Sequence, residues 1–237
     1  MLIHVKELIY YLGLHVGSVV SVVGSGGKTT LIDVLAKELA GRCRVCVAAT
    51  TKMKYPGEGL GPLVLKESLA AAKPPKAPGI YYIADELTGT GKMHGFSQEL
   101  ADWALKHTDI LLIEADGSHK LPLKGWSDYE PVVIKETQMT IGVMPVYLLG
   151  EKIGEKNIHR FPIFSELTGA REGDVLTREH LIRAIISPKG LFGKAQGEKV
   201  LFFSQVSDEA MEDEANAIAG DERLDFIDKI IIGSLKP

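Results

Sequence analysis

The clearest chemistry in this chain of 237 residues lies in Gly24-Ser25-Gly26-Gly27-Lys28-Thr29-Thr30. The segment follows the apolar run Val19-Val20-Ser21-Val22-Val23 and leads into the helical pattern Leu31 to Leu39. Strand, glycine turn, Gly-Lys-Thr and helix together are the build of a phosphate-binding loop. Glycines let the backbone pass through left-handed conformations and present N–H groups to an anion. The helix start adds unpaired donors and a positive dipole end. A lysine at position 28 reaches the outer phosphates, and a hydroxyl at Thr29 sits on a magnesium ion. Gly24, Ser25, Gly26, Gly27, Lys28, Thr29 and Thr30 are therefore the expected nucleotide-binding residues. Lys28 is expected to be catalytic and solvent-accessible without nucleotide. The loop is short: the G-x-x-x-x-G-K-[ST] pattern would place a glycine at Val22, and the first glycine is Gly24. An incidental glycine turn is the plainer reading, and the coincidence of all four parts outweighs it.

Carboxylates follow at the right kind of place. Ile110-Leu111-Leu112-Ile113 runs into Glu114-Ala115-Asp116-Gly117, and open α/β sheets bind ligands at the carboxyl ends of their strands. Glu114 and Asp116, with Thr29, are the expected metal ligands, and Asp116 is also expected to be catalytic by orienting an attacking water. The competing reading is a polar strand end with an Asp-Gly turn. Thr50, Thr51 and Lys52 end the second strand on the same edge, while Lys120 and Lys124 follow the carboxylates on a loop. These five are expected to meet a γ-phosphate or an anionic substrate, against the alternatives of a helix cap and solvated lysines. His119 stands beside them without a partner histidine at ligand spacing. Cys43 and Cys46 form a C-x-x-C at a helix end and strand start, where the thiols face opposite ways, so they read as structural. Gly89-Thr90-Gly91-Lys92 only imitates a second loop, because Met93 stands where a hydroxyl belongs.

The elements that must position these residues are readable from periodicity. An amphipathic helix is expected at 4–14, strands at 17–23 and 44–49, and a helix at 28–40 closed by Gly41. Residues 54–96 read as an exposed excursion, with a short helix at Leu65–Ala72 and a hairpin made by Ile80–Ala84 and 92–96. Ser97 is expected to cap a helix to Leu105. Strands at 110–113, 139–144, 200–203 and within 226–232 alternate with helices at Thr177–Ile186 and 208–219. Continuous apolar strands alternating with helices predict one α/β domain over 1–237, a three-layer P-loop NTPase-like fold with a mostly parallel sheet. The net charge of −4 gives no global attraction to nucleic acid or to an anionic membrane. No apolar run approaches the ~18 residues of a membrane span. Met1 to Glu7 lacks the layout of a signal peptide, so a cytoplasmic protein is expected.

Several blocks resemble the YqeC family of selenium-dependent hydroxylase accessory proteins. These are Gly24 to Thr30, Thr50-Thr51-Lys52-Met53, Glu114-Ala115-Asp116-Gly117-Ser118, Leu121-Pro122-Leu123-Lys124, Glu130-Pro131-Val132-Val133 and Glu166-Leu167-Thr168-Gly169. The short loop is also similar to that of Mur-type ligases, which bind ATP. Family members often carry an Asn-Lys-x-Asp-like element after a late strand, and this chain has Phe203-Ser204-Gln205-Val206-Ser207-Asp208 instead. The loop, its lysine and the carboxylates lead to the expectation of a Mg2+-dependent nucleotide-binding protein that hydrolyses nucleotide or transfers a phosphoryl group; the likeness to the Mur-type loop points to ATP, and the missing Asn-Lys weakens a claim for GTP. Its role, as the family resemblance implies, is accessory to maturation of selenium or molybdenum hydroxylases, with such a hydroxylase or an anionic small molecule as partner. Rival readings are a small-molecule kinase or ATP-dependent ligase, and a non-hydrolysing nucleotide-binding module docked on a client protein.

Overall fold

Strands that are apolar on both faces need cover on both faces, and the chain meets that need with one central sheet. The computed structural model describes residues 5–235. The signal-peptide reading of residues 1–4, and the start of the first expected helix at residue 4, lie outside those residues.

Helix α1 (Val5–Leu12) leads into β1 (Val19–Gly24), which is buried at every position. The glycine turn opens α2 (Lys28–Leu39), which buries Leu31, Ile32, Leu35, Ala36 and Leu39 along one stripe. β2 (Arg44–Ala49) is followed by two short strands, β3 (Lys52–Lys54) and β4 (Leu63–Leu65), and by a 3₁₀ turn at Lys66–Ala71. Then come β5 (Gly79–Ala84), β6 (Glu86–Leu87), β7 (Lys92–His94), α3 (Gln98–His107) and β8 (Ile110–Glu114). The second half holds β9 (Leu123–Lys124), β10 (Met139–Pro145), β11 (Ile158–His159), α4 (Phe161–Thr168) and α5 (Arg178–Ile186). It ends with β12 (Glu198–Ser204), α6 (Glu209–Ala219) and β13 (Lys229–Ile232).

Eight strands form the main sheet in the order β13-β12-β10-β1-β8-β2-β5-β4, and every pairing in it is parallel. Alternate side chains divide between two faces, as the period of a strand requires. Val20, Val22, Val45, Val47, Leu112 and Ile141 pack under α1 and α2. On the other face α3 packs on Cys46, Ala48, Ile83, Leu111 and Ile113, and α4, α5 and α6 cover Val23, Met144, Leu201 and Phe203. The result is the expected three-layer α/β fold with a parallel sheet. Cys43 and Cys46 are free, buried and assigned to clusters on opposite faces. Among the described residues no helix is long and apolar enough to cross a membrane.

Four expectations need correction. β5 is not the arm of a hairpin: its Ile-Tyr-Tyr-Ile-Ala sequence is apolar on both sides and inserts between β2 and β4. β4 likewise joins the main sheet, so residues 54–96 are only partly an excursion. The hairpin is β6 with β7, and β7 also pairs antiparallel with β3, giving a separate three-stranded sheet. Ser97 makes no capping hydrogen bond to α3, whereas Thr177 and His180 form a reciprocal capping box on α5. Phe226-Ile227 lies before the last strand, not in it. Helix α4 has no counterpart among the expected elements, although Pro162 near its start and left-handed Gly169 at its end are ordinary boundary signals.

The end of β1 shows how tightly the loop is set into the sheet. Gly24 has φ of 99°, and a Cβ there would stand 2.2 Å from the Val143 carbonyl oxygen of β10. Gly24→Ala is therefore expected to destabilise the protein by roughly 1–3 kcal/mol through backbone strain, before any clash is relieved. Urea unfolding of the variant checks this, and unchanged stability would contradict the close approach of β1 to β10.

Candidate functional site

The carboxyl ends of β1, β8 and β2 are neighbours in the sheet, and they open into a cavity of about 1410 Å³. Gly26, Gly27, Lys28, Thr29 and Thr30 line it, as do Thr50, Thr51, Lys52, Glu114 and Lys120. Gly24 and Ser25, also expected to touch nucleotide, lie buried beneath the loop, where the Ser25 N–H donates to the Val143 carbonyl at 3.0 Å. The start of α2 carries no capping side chain, so its end is left for a ligand.

Lys28 is not solvent-accessible as expected: it is 4% exposed. Its ammonium folds back to donate to the Gly24 carbonyl at 2.7 Å and stands 3.2 Å from Asp116 Oδ1. Asp116 is fully buried. Its Oδ2 accepts from the Gly24 N–H at 3.0 Å and from Trp126 Nε1 at 2.8 Å, and Lys124 Nζ lies 3.1 Å away. Burial pushes the Asp116 carboxyl up, but Lys28 and Lys124, with these hydrogen bonds, outweigh it and hold the group below its ordinary value.

Lys124 therefore differs from the solvated or anion-clamping lysine expected of the loop after β8. It is 1% exposed, donates to the Gly117 carbonyl at 2.6 Å and pairs with Glu130 Oε2 at 2.8 Å. Glu130 in turn pairs with Arg160. Buried charges survive only with close partners, and here they form one alternating chain: Lys28, Asp116, Lys124, Glu130, Arg160. Glu130 lay in a block singled out by resemblance, but Trp126, His159 and Arg160 carried no sequence signal that linked them to the loop.

Glu114 behaves differently from Asp116. Its Oε2 accepts from Thr29 Oγ1 at 2.7 Å, and both residues line the cavity. Burial raises the Glu114 carboxyl above its ordinary value, more than Lys28 and Thr29 lower it. Thr50 hangs on the same strand end through its N–H to the Glu114 carbonyl at 3.1 Å. The Thr51 hydroxyl is buried on the cavity wall without a hydrogen-bond partner among the described residues.

Two further groups complete the walls. Ser204 Oγ and Gln205 Nε2, at the end of β12, both donate to the Gly26 carbonyl, at 2.8 and 2.5 Å. Asp208, the last residue of that segment, caps α6 by accepting from the Met211 N–H at 2.9 Å. His119 is not alone: its ring stacks on that of His159, with centroids 4.3 Å apart. Burial, with Arg160 and His119 nearby, lowers the His159 imidazole to about 4, so it is neutral at physiological pH. The cavity's charged residues are the cations Lys28, Lys52, Lys54, Lys92, Lys120 and Arg160 against the carboxylates Glu114 and Glu130. Lys52, Lys54, Lys92 and Lys120 make no ion pair among the described residues. A protein of net charge −4 thus holds a cationic cavity.

The family model described as YqeC protein matches residues 20–162. The "Uncharacterized protein YqeC" of Escherichia coli (strain K12) is 33% identical over 180 residues, covering 74% of this chain and 70% of the relative. No solved structure matches. The chain belongs to the YqeC family. The matched stretch contains the loop, both carboxylates and all five members of the ion chain.

Removing one partner of a buried pair leaves an uncompensated charge, which typically costs about 3–5 kcal/mol. Lys124→Met is expected to lose stability in that range. Asp116 and Glu130 are both held below their ordinary values of 3.8 and 4.5. The stability they contribute is complete above those values and is lost as pH falls through the lower folded-state ones. Acid unfolding of Asp116→Asn should show a shallower dependence on pH below 4 than the wild type. Superimposable profiles would contradict the ionised state of Asp116.

Proposed function

We propose that the cavity binds a magnesium-nucleotide, ATP in preference to GTP, and supports its hydrolysis or phosphoryl transfer. The observation that carries this reading is the 2.7 Å contact between Thr29 Oγ1 and Glu114 Oε2, where the loop meets the end of β8. A hydroxyl and a carboxylate oxygen are hard donors of the kind magnesium takes. Glu114 also lacks sufficient counter-charge for its burial, as its raised carboxyl shows. Thr29 and Glu114 thus fit a metal. Asp116 fits it poorly, because it does not line the cavity, its Oδ2 is taken by an amide, an indole and Lys124, and its Oδ1, which has no hydrogen bond among the described residues, faces the Lys28 ammonium.

We assign Asp116 to holding Lys28 and the loop in place. A phosphate oxygen would take over the Lys28 ammonium from the Gly24 carbonyl, with Asp116 still fixing the lysine. The N–H groups at the start of α2 would receive the remaining phosphate oxygens. Magnesium, when bound, supplies neutralisation of charge developing on the transferring group. The preference for ATP is supported by the segment after β12: Gln205 braces the loop and Asp208 caps a helix, so neither is free to read a guanine edge. The accessory role in hydroxylase maturation rests on family resemblance alone. We place the protein in the cytoplasm, where free thiols such as Cys43 and Cys46 persist.

A kinase or ATP-dependent ligase is favoured over a simple hydrolase by the unpaired lysines beyond the loop, which suit an anionic second ligand. Turnover that depends on such a ligand separates the two, and binding without turnover would identify a docking module.

Lys28→Ala is expected to weaken ATP binding in calorimetry roughly 10- to 100-fold, the equivalent of losing a charged hydrogen bond of about 1.5–3 kcal/mol. Equal affinities would remove the lysine from this role. Glu114→Gln is expected to flatten the magnesium dependence of binding. In the wild type, magnesium-dependent affinity should fall on acidification while an ordinary glutamate is still ionised, because Glu114 takes up its proton at higher pH. The Gln variant should lack that fall; a magnesium titration at two pH values decides.

A further inference from the structure

The cavity has a second cationic wall away from the phosphate loop, and we propose that it binds an oxyanion group of a small acidic ligand held alongside the nucleotide. The inference deepens the nucleotide reading and rests on it for the identity of the first ligand. The wall is built from two segments far apart in the chain, His119-Lys120 and His159-Arg160, with Tyr129 against the Arg160 guanidinium.

Backbone conformation points to this wall first. Four non-glycine residues among those described have left-handed φ: His119 at 51°, Lys120 at 65°, Arg160 at 54° and Gln205 at 60°. All four line the cavity. Such conformations are unfavourable for residues with a Cβ and persist where the surroundings impose them, commonly at ligand sites. Three of the four belong to this one wall.

The side chains on it are poised as donors. Arg160 is fixed by Glu130, which takes both of its terminal nitrogens, and by the Tyr129 hydroxyl at 3.3 Å from Nη2. Its Nε–H has no partner among the described residues, and the guanidinium is partly exposed. Lys120 is exposed and makes no ion pair among the described residues. His159 Nε2 is buried with no hydrogen-bond partner among the described residues, and its ring is held flat against His119. Glu130 is the one carboxylate here, and Lys124 and Arg160 already neutralise it. A cation would be repelled by this wall, and an apolar ligand would strip Lys120 and Arg160 of water without return. A carboxylate or phosphate group meets both charges and suits the planar guanidinium. The ion chain from Arg160 through Glu130, Lys124 and Asp116 to Lys28 fixes this wall relative to the phosphate loop, so two anions would be held in a set relation.

The test loads the loop with magnesium and the non-hydrolysable imido analogue of ATP, then titrates inorganic phosphate or succinate by calorimetry. Saturable binding on the order of 1 mM is expected for at least one of them, weakened tenfold or more by Arg160→Gln and by Lys120→Gln. Phosphate alone would indicate a phosphorylated ligand, and succinate alone a carboxylate. His119→Ala, an exposed position, serves as a third variant if Arg160→Gln fails to fold, as thermal melting would report. Absent binding, or binding equal in wild type and all folded variants, overturns the proposal. Analogue affinity on the same samples reports the loop separately. If the analogue does not bind, the titration is repeated on the wild type without it: binding weakened by Arg160→Gln and by Lys120→Gln keeps this wall and discards the nucleotide reading, and its absence discards both.

Discussion

The carboxylate of Asp116, shared between two lysines in the interior, is the interaction on which the site depends. A buried carboxyl without partners takes up a proton; this one is kept charged by Lys28, Lys124, the Gly24 amide and the Trp126 indole. Each partner belongs to a different piece of structure: the start of α2, β9, the end of β1 and the segment after β9. One group therefore ties together the loop, the strand that carries Glu114 and the wall that carries Arg160. Because every charge in the series faces its opposite, removing an inner member strands its neighbours, whereas loss of Lys28 or Arg160 at either end leaves the adjoining carboxylate paired with Lys124.

Division of labour between the two acidic residues at the end of β8 follows from this. Burial raises both carboxyls, but their partners leave them on opposite sides of their ordinary values. Asp116 has cations on both oxygens and is held low, whereas Glu114 has a hydroxyl and a more remote lysine and is raised. The group that is under-compensated is the one that opens onto the cavity. Under-compensation at an accessible oxygen is what a cation-binding residue needs, and full compensation in the interior is what a positioning residue needs.

Sheet order explains why so many weakly related segments meet at one cavity. β1 lies between β8 and β10, with β2 and β12 one strand further out on either side. The loop after β1 is thus flanked by Thr50, Thr51 and Glu114 on one side and by Pro145, Ser204 and Gln205 on the other. A Cβ at Gly26 would fall 2.5 Å from Pro145 Cγ, and the Gly26 carbonyl takes two hydrogen bonds from the end of β12. The short loop is held by contacts to neighbouring strands as well as by its own turns. The cavity's positive charge, in an acidic protein, comes from this convergence and not from composition.

The local parts were legible in the chain itself. Apolar runs at Val19–Val23, Arg44–Ala49, Ile110–Ile113 and Met139–Met144 dictate buried parallel strands, because strands without a polar face need cover on both sides. The glycines before Lys28-Thr29 dictate a loop that can receive an anion, because only their backbone reaches the required conformations. Opposite faces for Cys43 and Cys46 follow from strand periodicity. What periodicity does not encode is which charges meet once strands are ordered. Lys124 reads as a loop lysine, yet a two-stranded pairing of β9 with β11 draws it inside against Asp116 and Glu130. His119 reads as solitary until β11 brings His159 against it. β5 reads as a hairpin arm because the turn after it is the nearest partner in sequence, while the sheet offers it greater burial between β2 and β4. The roles of Asp116, Lys124 and Arg160 come from contacts between residues up to 92 apart, as between Gly24 and Asp116, and only the folded chain decides such contacts.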